Sequence, residues 1–459
     1  MTWHRKPLKD LVDRCFRCGL CRAVCPVFLQ DGREPAVARA KLQLIAALSE
    51  GRVEPGGRLA TLLSRCLSCG ACEAICPADV AVTEAVLRAR GELVTVLKLD
   101  RPGGQPSFDA RIDIARFEGN GRSDRSTGGQ SSTERSDDTP TEIVLSRWSR
   151  YLQVLRFRPE RPLAAVLELL SGRPAGGSAE ETGQTAAAER SNAAQDAGAA
   201  DESPTNREAD AADLPRIIGP AEARRKVAYF PGCADLLWPR LWESTFELFR
   251  RAGIRVVVPP GSYCCGFPFL EAGDLGPARQ LANENIRAFE KLGVEAIVTG
   301  CSTGARMLGR YAGEILGLTG FPVPVHELGE FLVQLARGGE FPEPNTPVEA
   351  RIAYLPPRGL GRSSDGAMEL LGRVDQLEPV LLEDDLGCGE SLFFAALHPQ
   401  RHEQIITRTV EAALDRGCRA VVAHSPLTML LLDRYLESHG IDLRVVHLAE
   451  ILAMACKKS

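Results

Sequence analysis

The sequence lacks any long uninterrupted apolar segment. No stretch of about 18 apolar residues occurs along the chain, so a membrane-spanning helix is not expected. The first ten residues, MTWHRKPLKD, contain no apolar core of the kind found in secretory signal peptides. The formal net charge of −5 gives no general reason to expect binding to nucleic acid or to an anionic membrane surface. We therefore expect a cytoplasmic protein with at most peripheral contact with the membrane.

Recognisable motifs for organic cofactors and for hydrolytic catalysis are also missing. Gly359-Leu360-Gly361 follows a predicted strand but lacks the third glycine of a dinucleotide-binding loop, and such a partial match is weak evidence. No Ser-His-Asp arrangement and no pair of catalytic carboxylates can be argued from spacing. We expect this chain to bind neither flavin nor nicotinamide, so flavin chemistry would require a separate protein.

The sequence does contain 15 cysteines, eight of which fall in two copies of one spacing. The run Cys-x2-Cys-x2-Cys-x3-Cys-Pro at 15–26 recurs at 66–77, and it is the signature of bacterial ferredoxins with two clusters. In such proteins the fourth cysteine of each run binds the other run's cluster. A zinc site is disfavoured because it uses two Cys-x2-Cys pairs. The predicted ligands are Cys15, Cys18, Cys21 and Cys76 for one [4Fe–4S] cluster, and Cys66, Cys69, Cys72 and Cys25 for the second.

Composition divides the chain into five parts. Residues 1–100 are predicted to form a helical domain that carries both cysteine runs. Residues 222–459 alternate strand-like and helical runs, which is typical of an α/β domain with parallel sheets. Residues 101–141 and 172–221 are poor in large apolar side chains and are predicted to be disordered linkers. The expected fold class is α+β multidomain, with a helical island at 142–171 between the linkers.

The island at 142–171 is apolar with interspersed arginines, and Pro162 should divide it into two helices. One interpretation is an interfacial helix that contacts a membrane or a partner subunit. The other is a helix pair packed on the protein's own body, with its arginines solvated. We favour packing on the body, or a partner contact, over direct lipid binding.

The C-terminal domain contains an internal repeat. The segment KVAYFPGC at 226–233 aligns with RIAYLPPR at 351–358, and later strand-like segments align in the same way. The alignment divides the domain into repeat one, 222–345, and repeat two, 346–459.

Repeat one has four cysteines near predicted strand ends, among them an adjacent pair followed by Gly266. Adjacent thiolates can reach one metal assembly, and a glycine lets the backbone approach it closely. Four buried structural cysteines are the alternative interpretation. The candidate third iron–sulfur site comprises Cys233, Cys264, Cys265 and Cys301.

These motifs together resemble a known family. The C-terminal domain resembles the cysteine-rich CCG domain of heterodisulfide reductase. With the doubled ferredoxin run, the chain resembles the iron–sulfur subunit of glycolate oxidase and related Fe–S oxidoreductases, which include the glycerol-3-phosphate dehydrogenase C subunit and heterodisulfide reductase D. The resemblance implies an electron-transfer subunit that serves an FAD-containing dehydrogenase of 2-hydroxy acids such as glycolate or lactate. Electrons would pass to a quinone or a soluble carrier.

Two other functions stay open at this point. A heterodisulfide-reductase-like thiol–disulfide oxidoreductase would use the cysteines of repeat one as its active site. A redox sensor or scaffold would use its clusters to report on oxygen or iron, and the long linkers would permit partner binding. The sensor ranks last, since nothing in the sequence suggests readout of DNA.

The sequence departs from the family motif in both repeats. The motif of repeat one should end in Cys-x2-Cys, but Gly304 stands at the last position. A non-cubane cluster with five cysteine ligands is therefore in doubt, and a cubane or an open coordination site is equally compatible. Repeat two retains a cysteine at only one of the matching motif positions, and one cysteine cannot hold a cluster, so we expect a structural half. Its matching positions are Arg358, Gly387, Cys388, Ser425 and Thr428.

Four further residues have more ordinary interpretations. His326 and His424 lie near predicted strand ends, where a hydrogen-bonded structural role is favoured over a ligand or proton carrier. Cys418 and Cys456 stand alone among apolar residues, and we expect them to behave as small buried hydrophobic side chains.

Overall fold

The computed structural model describes residues 8–97, 99, 141–157, 216–232, 238–259, 264–357, 364–382 and 390–457. Most of both predicted linkers and the second predicted helix of the island lie outside these ranges. So do Cys233, Cys388 and the glycine-containing segment 359–361.

The N-terminal domain consists of short helices around the two cysteine loops. The helix between the cysteine runs and the helix after them both form where the apolar spacing predicts them. The helix between the runs buries one face, whereas the helix after them is buried on nearly all sides over most of its length. Ile45 and Leu93 are completely inaccessible to solvent. The helices are α1 (Leu8–Val12), α2 (Pro26–Asp31), α3 (Ala38–Ser49), α4 (Gly57–Ser64), α5 (Ala71–Ala74) and α6 (Val82–Leu97).

Helix α7 (Thr141–Phe157) belongs to the predicted island and packs between the N-terminal and C-terminal domains. Trp148 is fully buried, and its indole N–H donates a hydrogen bond of 2.9 Å to the carbonyl of Ala272. Arg147 was expected to be solvated, but its guanidinium donates to the carbonyl of Leu397 at 2.9 Å. These contacts support the interpretation that the helix packs on the protein's own body.

The C-terminal domain contains two sheets. Their strands are β1 (Arg216–Ile218), β2 (Arg225–Tyr229), β3 (Ile254–Val258), β4 (Ala296–Thr299), β5 (Val325–Glu327), β6 (Ala350–Tyr354), β7 (Leu377–Leu381), β8 (Ala420–Ala423) and β9 (Arg444–His447). The first sheet has the strand order β1-β3-β2-β4-β5 and the second has the order β7-β6-β8-β9, so the strands β3-β2-β4-β5 and β7-β6-β8-β9 follow the same plan. All neighbouring strands are parallel except β1 and β3.

Strand β1 corrects two expectations from the sequence. It lies within 172–221, which was predicted to be a linker, and it makes the first sheet mixed rather than wholly parallel. The physical reason is that a three-residue strand has no detectable periodicity of its own and gains its hydrogen bonds from β3. The other linker boundary is also wrong by one residue, because Thr141 already begins α7.

Helices cover the faces and ends of both sheets. The helices are α8 (Pro239–Arg251), α9 (Phe267–Glu271), α10 (Leu275–Phe289), α11 (Ser302–Arg306), α12 (Ala312–Glu314), α13 (Leu328–Arg337), α14 (Ser364–Gly372), α15 (Leu392–Leu397), α16 (Pro399–Asp415), α17 (Pro426–His439) and α18 (Leu448–Ala455).

One apolar core is shared by the N-terminal domain, α7 and the C-terminal domain. It includes Leu63 of α4, Trp148 of α7, Leu270 of α9 and Phe393 of α15. Because the core is continuous, the cysteine loops are held in one defined position relative to the sheets. Cys418 and Cys456 are 4% and 1% exposed within the apolar cores, which confirms their predicted role.

Within the part of the chain that the structure describes, no helix has both the length and the apolar character needed to cross a membrane.

We predict that Trp148→Ala weakens the junction between the two domains. The substitution removes a fully buried indole and its hydrogen bond to Ala272, and such truncations cost about 3–5 kcal/mol. Urea unfolding of the intact protein measures the loss. Met454→Ala, at a side chain that is 47% exposed, is the matched control and should cost little. Equal stability of the two variants would show that α7 does not hold the domains together.

Candidate metal centres

The two cysteine loops have the same backbone conformation at matched positions. Arg17 and Ser68 each follow the first cysteine of their run by two residues, and both have positive φ, at 57° and 52°. Gly19 and Gly70 follow the second cysteine and have φ values of 88° and 77°. Positive φ at a non-glycine residue is uncommon, so its recurrence shows that the repeated sequence folds into a repeated loop.

The first loop and the end of the second line one pocket. Its wall is formed by Cys15, Cys18, Cys21 and Cys76 together with apolar side chains such as Leu42 and Val80. Cys72 also touches this wall. The fourth cysteine of the second run therefore lies with the first three cysteines of the first run, although 51 residues separate Cys76 from Cys25 in sequence.

The remaining cysteines form a second, more deeply buried group. Burial raises the pKa of the Cys72 thiol well above its usual value, and charge repulsion from neighbouring groups adds to the effect. Burial likewise raises the pKa of Cys25. The neighbours that act on Cys72 are Cys66, Cys69, Glu73 and Cys25.

Cationic side chains lie beside both groups of thiols. The charge of Arg39 acts on Cys21, and the ammonium of Lys41 acts on Cys25. Lys41 is only 2% exposed, and its Nζ donates to the carbonyl of Ala36. Arg90 is fully buried and donates to the carbonyl of Cys66 at 2.6 Å. Buried cations offset the negative charge that thiolates and a bound cluster would carry, so the surroundings suit such a group.

The described residues contain no group of three or more His, Cys, Asp or Glu side chains close enough to hold a single metal ion. A mononuclear zinc site needs four ligands about 2.0–2.3 Å from one ion. A four-iron cluster is larger, because each thiolate binds a different corner of the cube. The spread of the thiols over two loops is compatible with a cluster of this size.

The described cysteines of repeat one lie near one another, with Cys301 shortly after β4 and the pair Cys264-Cys265 shortly before α9. Cys264 and Cys265 are 9% and 8% exposed, and the charges of Cys264 and Cys301 both act on Cys265. Burial raises the pKa of the Cys264 thiol to about 11. Asn285 on α10 holds the pair in place by donating to the carbonyl of Cys264 at 2.9 Å. Cys233, the fourth predicted member, lies outside the described residues.

Two glycines shape this candidate site. Gly266 has φ of 86°, and a Cβ there would lie 3.2 Å from the carbonyl oxygen of Ala278, so a side chain is disfavoured on both counts. Gly304 caps the site differently: its N–H donates to the Sγ of Cys301 at 3.3 Å. A Cβ at residue 304 would lie 3.7 Å from that sulfur. Gly304 therefore offers a hydrogen bond at the position where the family motif has a cysteine.

Repeat two meets repeat one at this edge. The Oγ of Ser425 lies 4.0 Å from the Sγ of Cys301, and the N–H of Ser302 donates to the carbonyl of His424 at 2.9 Å. The ring of His424 is buried between Glu327 and the hydroxyl of Tyr354, at 3.0 Å and 2.8 Å. This arrangement agrees with the structural role that the sequence favoured.

His326 also makes protein contacts rather than facing the cysteines. Its Nδ1 lies 3.4 Å from the Oε1 of Glu330 and 3.4 Å from the Nε2 of Gln334.

A buried polar bridge joins the second cysteine loop to the cysteines of repeat one. Arg306 on α11 is 3% exposed, and its Nη1 donates to the carbonyl of Ser68 at 3.0 Å. Its Nη2 lies 3.4 Å from the carboxylate of Glu390, whose charge also acts on Cys301. Sequence reasoning missed Arg306, Arg90 and Lys41, because other charged or polar residues surround each of them in sequence and nothing local distinguishes them from exposed cations.

Comparison with known proteins agrees with this arrangement. Residues 11–80 match the family described as 4Fe-4S dicluster domain, and residues 227–309 match the Cysteine-rich domain called CCG. The chain thus contains segments that match both of these domain families, and the resemblance inferred from its motifs is confirmed.

Three relatives illustrate the range of similar proteins. The chain is 25% identical to the probable glycolate oxidase iron-sulfur subunit of Bacillus subtilis, over 96% of this chain and 93% of that protein. It is 26% identical to lactate utilization protein A of an Exiguobacterium species, over 51% of this chain and 99% of that protein. It is 27% identical to one subunit of the fumarate reductase (CoM/CoB) of Methanothermobacter marburgensis, over 50% of this chain and 46% of that protein.

Glu271, near this junction, should make stability depend on pH. Burial raises the pKa of its carboxyl from 4.5 to about 7, although Arg90 opposes the shift. A carboxyl with a raised pKa destabilises the folded state at pH values above that pKa, and the penalty vanishes below its unfolded value. We predict that Glu271→Gln stabilises the protein at pH 8 by up to about 3 kcal/mol and by much less at pH 5.5.

Urea unfolding at the two pH values measures this difference. Glu349→Gln, at an exposed carboxyl, is the control and should be neutral at both. A stabilisation by Glu271→Gln that does not grow with pH would contradict the raised pKa of the Glu271 carboxyl.

Proposed function

We propose that the chain is the iron–sulfur electron-transfer subunit of a flavoprotein dehydrogenase that oxidises a 2-hydroxy acid, with glycolate and lactate as the candidate substrates. The flavin subunit would be a separate FAD-containing protein, and the final acceptor a quinone or another carrier in or at the cytoplasm. The similarity to a probable glycolate oxidase iron-sulfur subunit along nearly the whole chain supports the substrate class.

The eight cysteines of the two loops are the proposed ligands of two [4Fe–4S] clusters. Bound there, the clusters would supply one-electron transfer at potentials that the protein adjusts through burial and hydrogen bonds to sulfur. The pocket that unites Cys76 with the first loop, and the proximity of Cys25 to Cys66 and Cys72, support the crossed assignment of ligands.

A third site is proposed at Cys264, Cys265 and Cys301, with Cys233 as its fourth ligand. The proximity of the three described thiols, two of which are buried, supports it. The Gly304 N–H would stabilise a thiolate at Cys301, since hydrogen bonds favour the charged form of their acceptor. Because Gly304 offers a hydrogen bond where the family motif has a fifth thiolate, we favour a cluster with four cysteine ligands or an open coordination position. Repeat two would be a copy of repeat one that has lost its metal site.

The observation that carries the electron-transfer function is the contact between the second cysteine loop and repeat one. Arg306 bridges the carbonyl of Ser68, next to Cys69, and Glu390, close to Cys301. One buried side chain thus contacts both the backbone of the second cysteine loop and a carboxylate whose charge acts on Cys301, an arrangement that favours transfer between sites within a single protein. The shared apolar core keeps water away from this junction.

The direct test is anaerobic purification of the tagged protein from its own host, followed by assays of glycolate- and lactate-dependent reduction of an artificial dye. Bound flavin is measured in the same sample. A co-purifying flavoprotein with hydroxy-acid-dependent activity would support the proposal and identify the substrate. Iron-loaded protein without flavin and without such activity would exclude it.

We predict that Cys69→Ser removes one cubane and uncouples electron transfer. The substitution deletes a thiolate ligand of the buried second cluster. The protein should therefore lose about half of the iron held by its two cubanes. Hydroxy-acid-dependent dye reduction by the complex should fall at least tenfold. Cys418→Ser, at a cysteine outside all three proposed sites, is the control and should retain iron and activity. Full iron and full activity in Cys69→Ser would contradict the ligand assignment.

A thiol–disulfide oxidoreductase of the heterodisulfide type is the second candidate. The buried adjacent thiols and the similarity to a subunit of a CoM/CoB fumarate reductase favour it. It predicts that the reduced protein is reoxidised by an organic disulfide and that Cys265→Ser abolishes this reaction. Our primary proposal predicts no disulfide-dependent reoxidation of either the wild type or Cys265→Ser. Reoxidation is measured anaerobically by the return of cluster absorbance.

A further inference from the structure

The two cysteine loops share one conformation but differ sharply in exposure. Phe16 and Leu67 occupy the same position after the first cysteine of each run, yet Phe16 is 77% exposed and Leu67 only 4%. At the next position, Arg17 is exposed whereas Ser68 is 1% exposed. The same surface is thus covered in the second loop and open in the first.

In the second loop, this surface is covered by side chains of the C-terminal domain. Leu67 packs in an apolar cluster with Phe394 of α15 and Ile405 of α16. The carbonyl of Ser68 accepts its hydrogen bond from Arg306. This surface of a cysteine loop is therefore one against which a second folded domain docks, with an apolar contact at the centre and a polar contact beside it.

The matching surface of the first loop consists of Phe16, Arg17, Cys18, Leu20 and Arg22, which we call the loop-1 face. Phe16 and Leu20 are 77% and 47% exposed, and Cys18 is exposed as well. Large exposed apolar side chains that adjoin one another commonly mark an interaction site.

The loop-1 face also has a charge of one sign. Arg17 and Arg22 are both exposed, and the face contains no acidic residue. The corresponding positions of the second loop are Ser68 and Glu73, so the positive charge is specific to the open loop. The guanidinium of Arg39 lies beside Gly19, but it is paired with the carboxylate of Glu34, so the net positive charge of the face comes from Arg17 and Arg22. A partner that fits would have an apolar centre and acidic side chains around it.

We propose that the loop-1 face docks a separate redox protein with an acidic rim, in the way that the cysteine-rich domain docks on the second loop. The inference deepens the proposed electron-transfer function and rests on it. The first cluster would then exchange electrons with the partner, and the second with repeat one. Exposed Cys18 would lie at the contact, where the path for an electron is shortest.

The test uses the full-length, cluster-loaded protein reduced with dithionite and freed of excess reductant. An acidic flavodoxin serves as the protein probe and methyl viologen as a small dye that needs no docking. Stopped-flow absorbance measures the rate of one-electron reduction of oxidised flavodoxin. The variant is the double substitution Phe16→Asp with Arg17→Glu. The control is Leu414→Asp with Arg279→Glu, which places the same changes on exposed positions of α16 and α10.

We expect the variant to reduce flavodoxin at least about tenfold more slowly than the control, because it loses both the apolar centre and the electrostatic attraction. Exchange with methyl viologen and the iron content should be unchanged. The wild-type rate with flavodoxin should fall as salt is added, because the charges involved are exposed. If the double variant loses iron, Arg22→Glu replaces it, since Arg22 lies after Cys21, and the same slowing is expected.

Two results would overturn the proposal. One is equal rates of flavodoxin reduction in variant and control, and the other is no transfer from the wild type to flavodoxin. Equal rates together with lost binding of the variant to phosphatidylglycerol vesicles would make the face a lipid-binding surface. The assay contains neither hydroxy acid nor flavin subunit. Failure of the dehydrogenase proposal would therefore appear in the dye assay with glycolate and lactate, and failure of docking would appear only here.

Discussion

The buried guanidinium of Arg90 is the interaction on which the arrangement of the protein depends. It donates to the carbonyls of Leu63 and Cys66 in the N-terminal domain and to the carbonyl of Glu271 in the C-terminal domain, at 3.0, 2.6 and 2.8 Å. It also lies 4.6 Å from the centre of the Phe393 ring. An unpaired buried charge is costly, so the structure is stable only when all these partners are in place.

The consequence of this constraint is an asymmetry between two loops of nearly identical sequence pattern. The second loop, fixed by Arg90 and Arg306, is part of the interior of the protein. The first loop has no such cation from the C-terminal domain among the described contacts and keeps Phe16 at the surface. The repeated motif thus provides one cysteine loop in the interior, in contact with Arg306 of repeat one, and one at the surface.

The sequence was sufficient for the features that have local signals. Cysteine spacing identified both loops, and the alternation of strand-like and helical runs indicated the α/β character of the C-terminal domain. The adjacent pair Cys264-Cys265, followed by Gly266, indicated the segment where three thiols come together.

Features that depend on distant contacts could not be predicted in this way. Strand β1 forms because it pairs with the free edge of β3, and its three residues are too few to show an apolar periodicity. Arg306 contacts Ser68, which is 238 residues away in sequence, so the residues next to Arg306 could not predict this contact. The N–H of Gly304 as a donor to Cys301 is a backbone property, and the sequence showed only a missing cysteine. The island at 142–171 could be assigned to the protein's body only once Trp148 was seen inside the shared core.

The central claim is that two four-iron clusters lie side by side, one outward and one inward, with ligands crossed between the two runs. Electron paramagnetic resonance of the anaerobically reduced, full-length protein tests it most directly. The account predicts signals from two nearby [4Fe–4S] clusters that broaden and split one another, with the interaction lost when Cys76 is replaced by Ser and iron is removed from the outward cluster. A spectrum with one isolated cluster, or iron content and signals unaffected by Cys76→Ser, would contradict it.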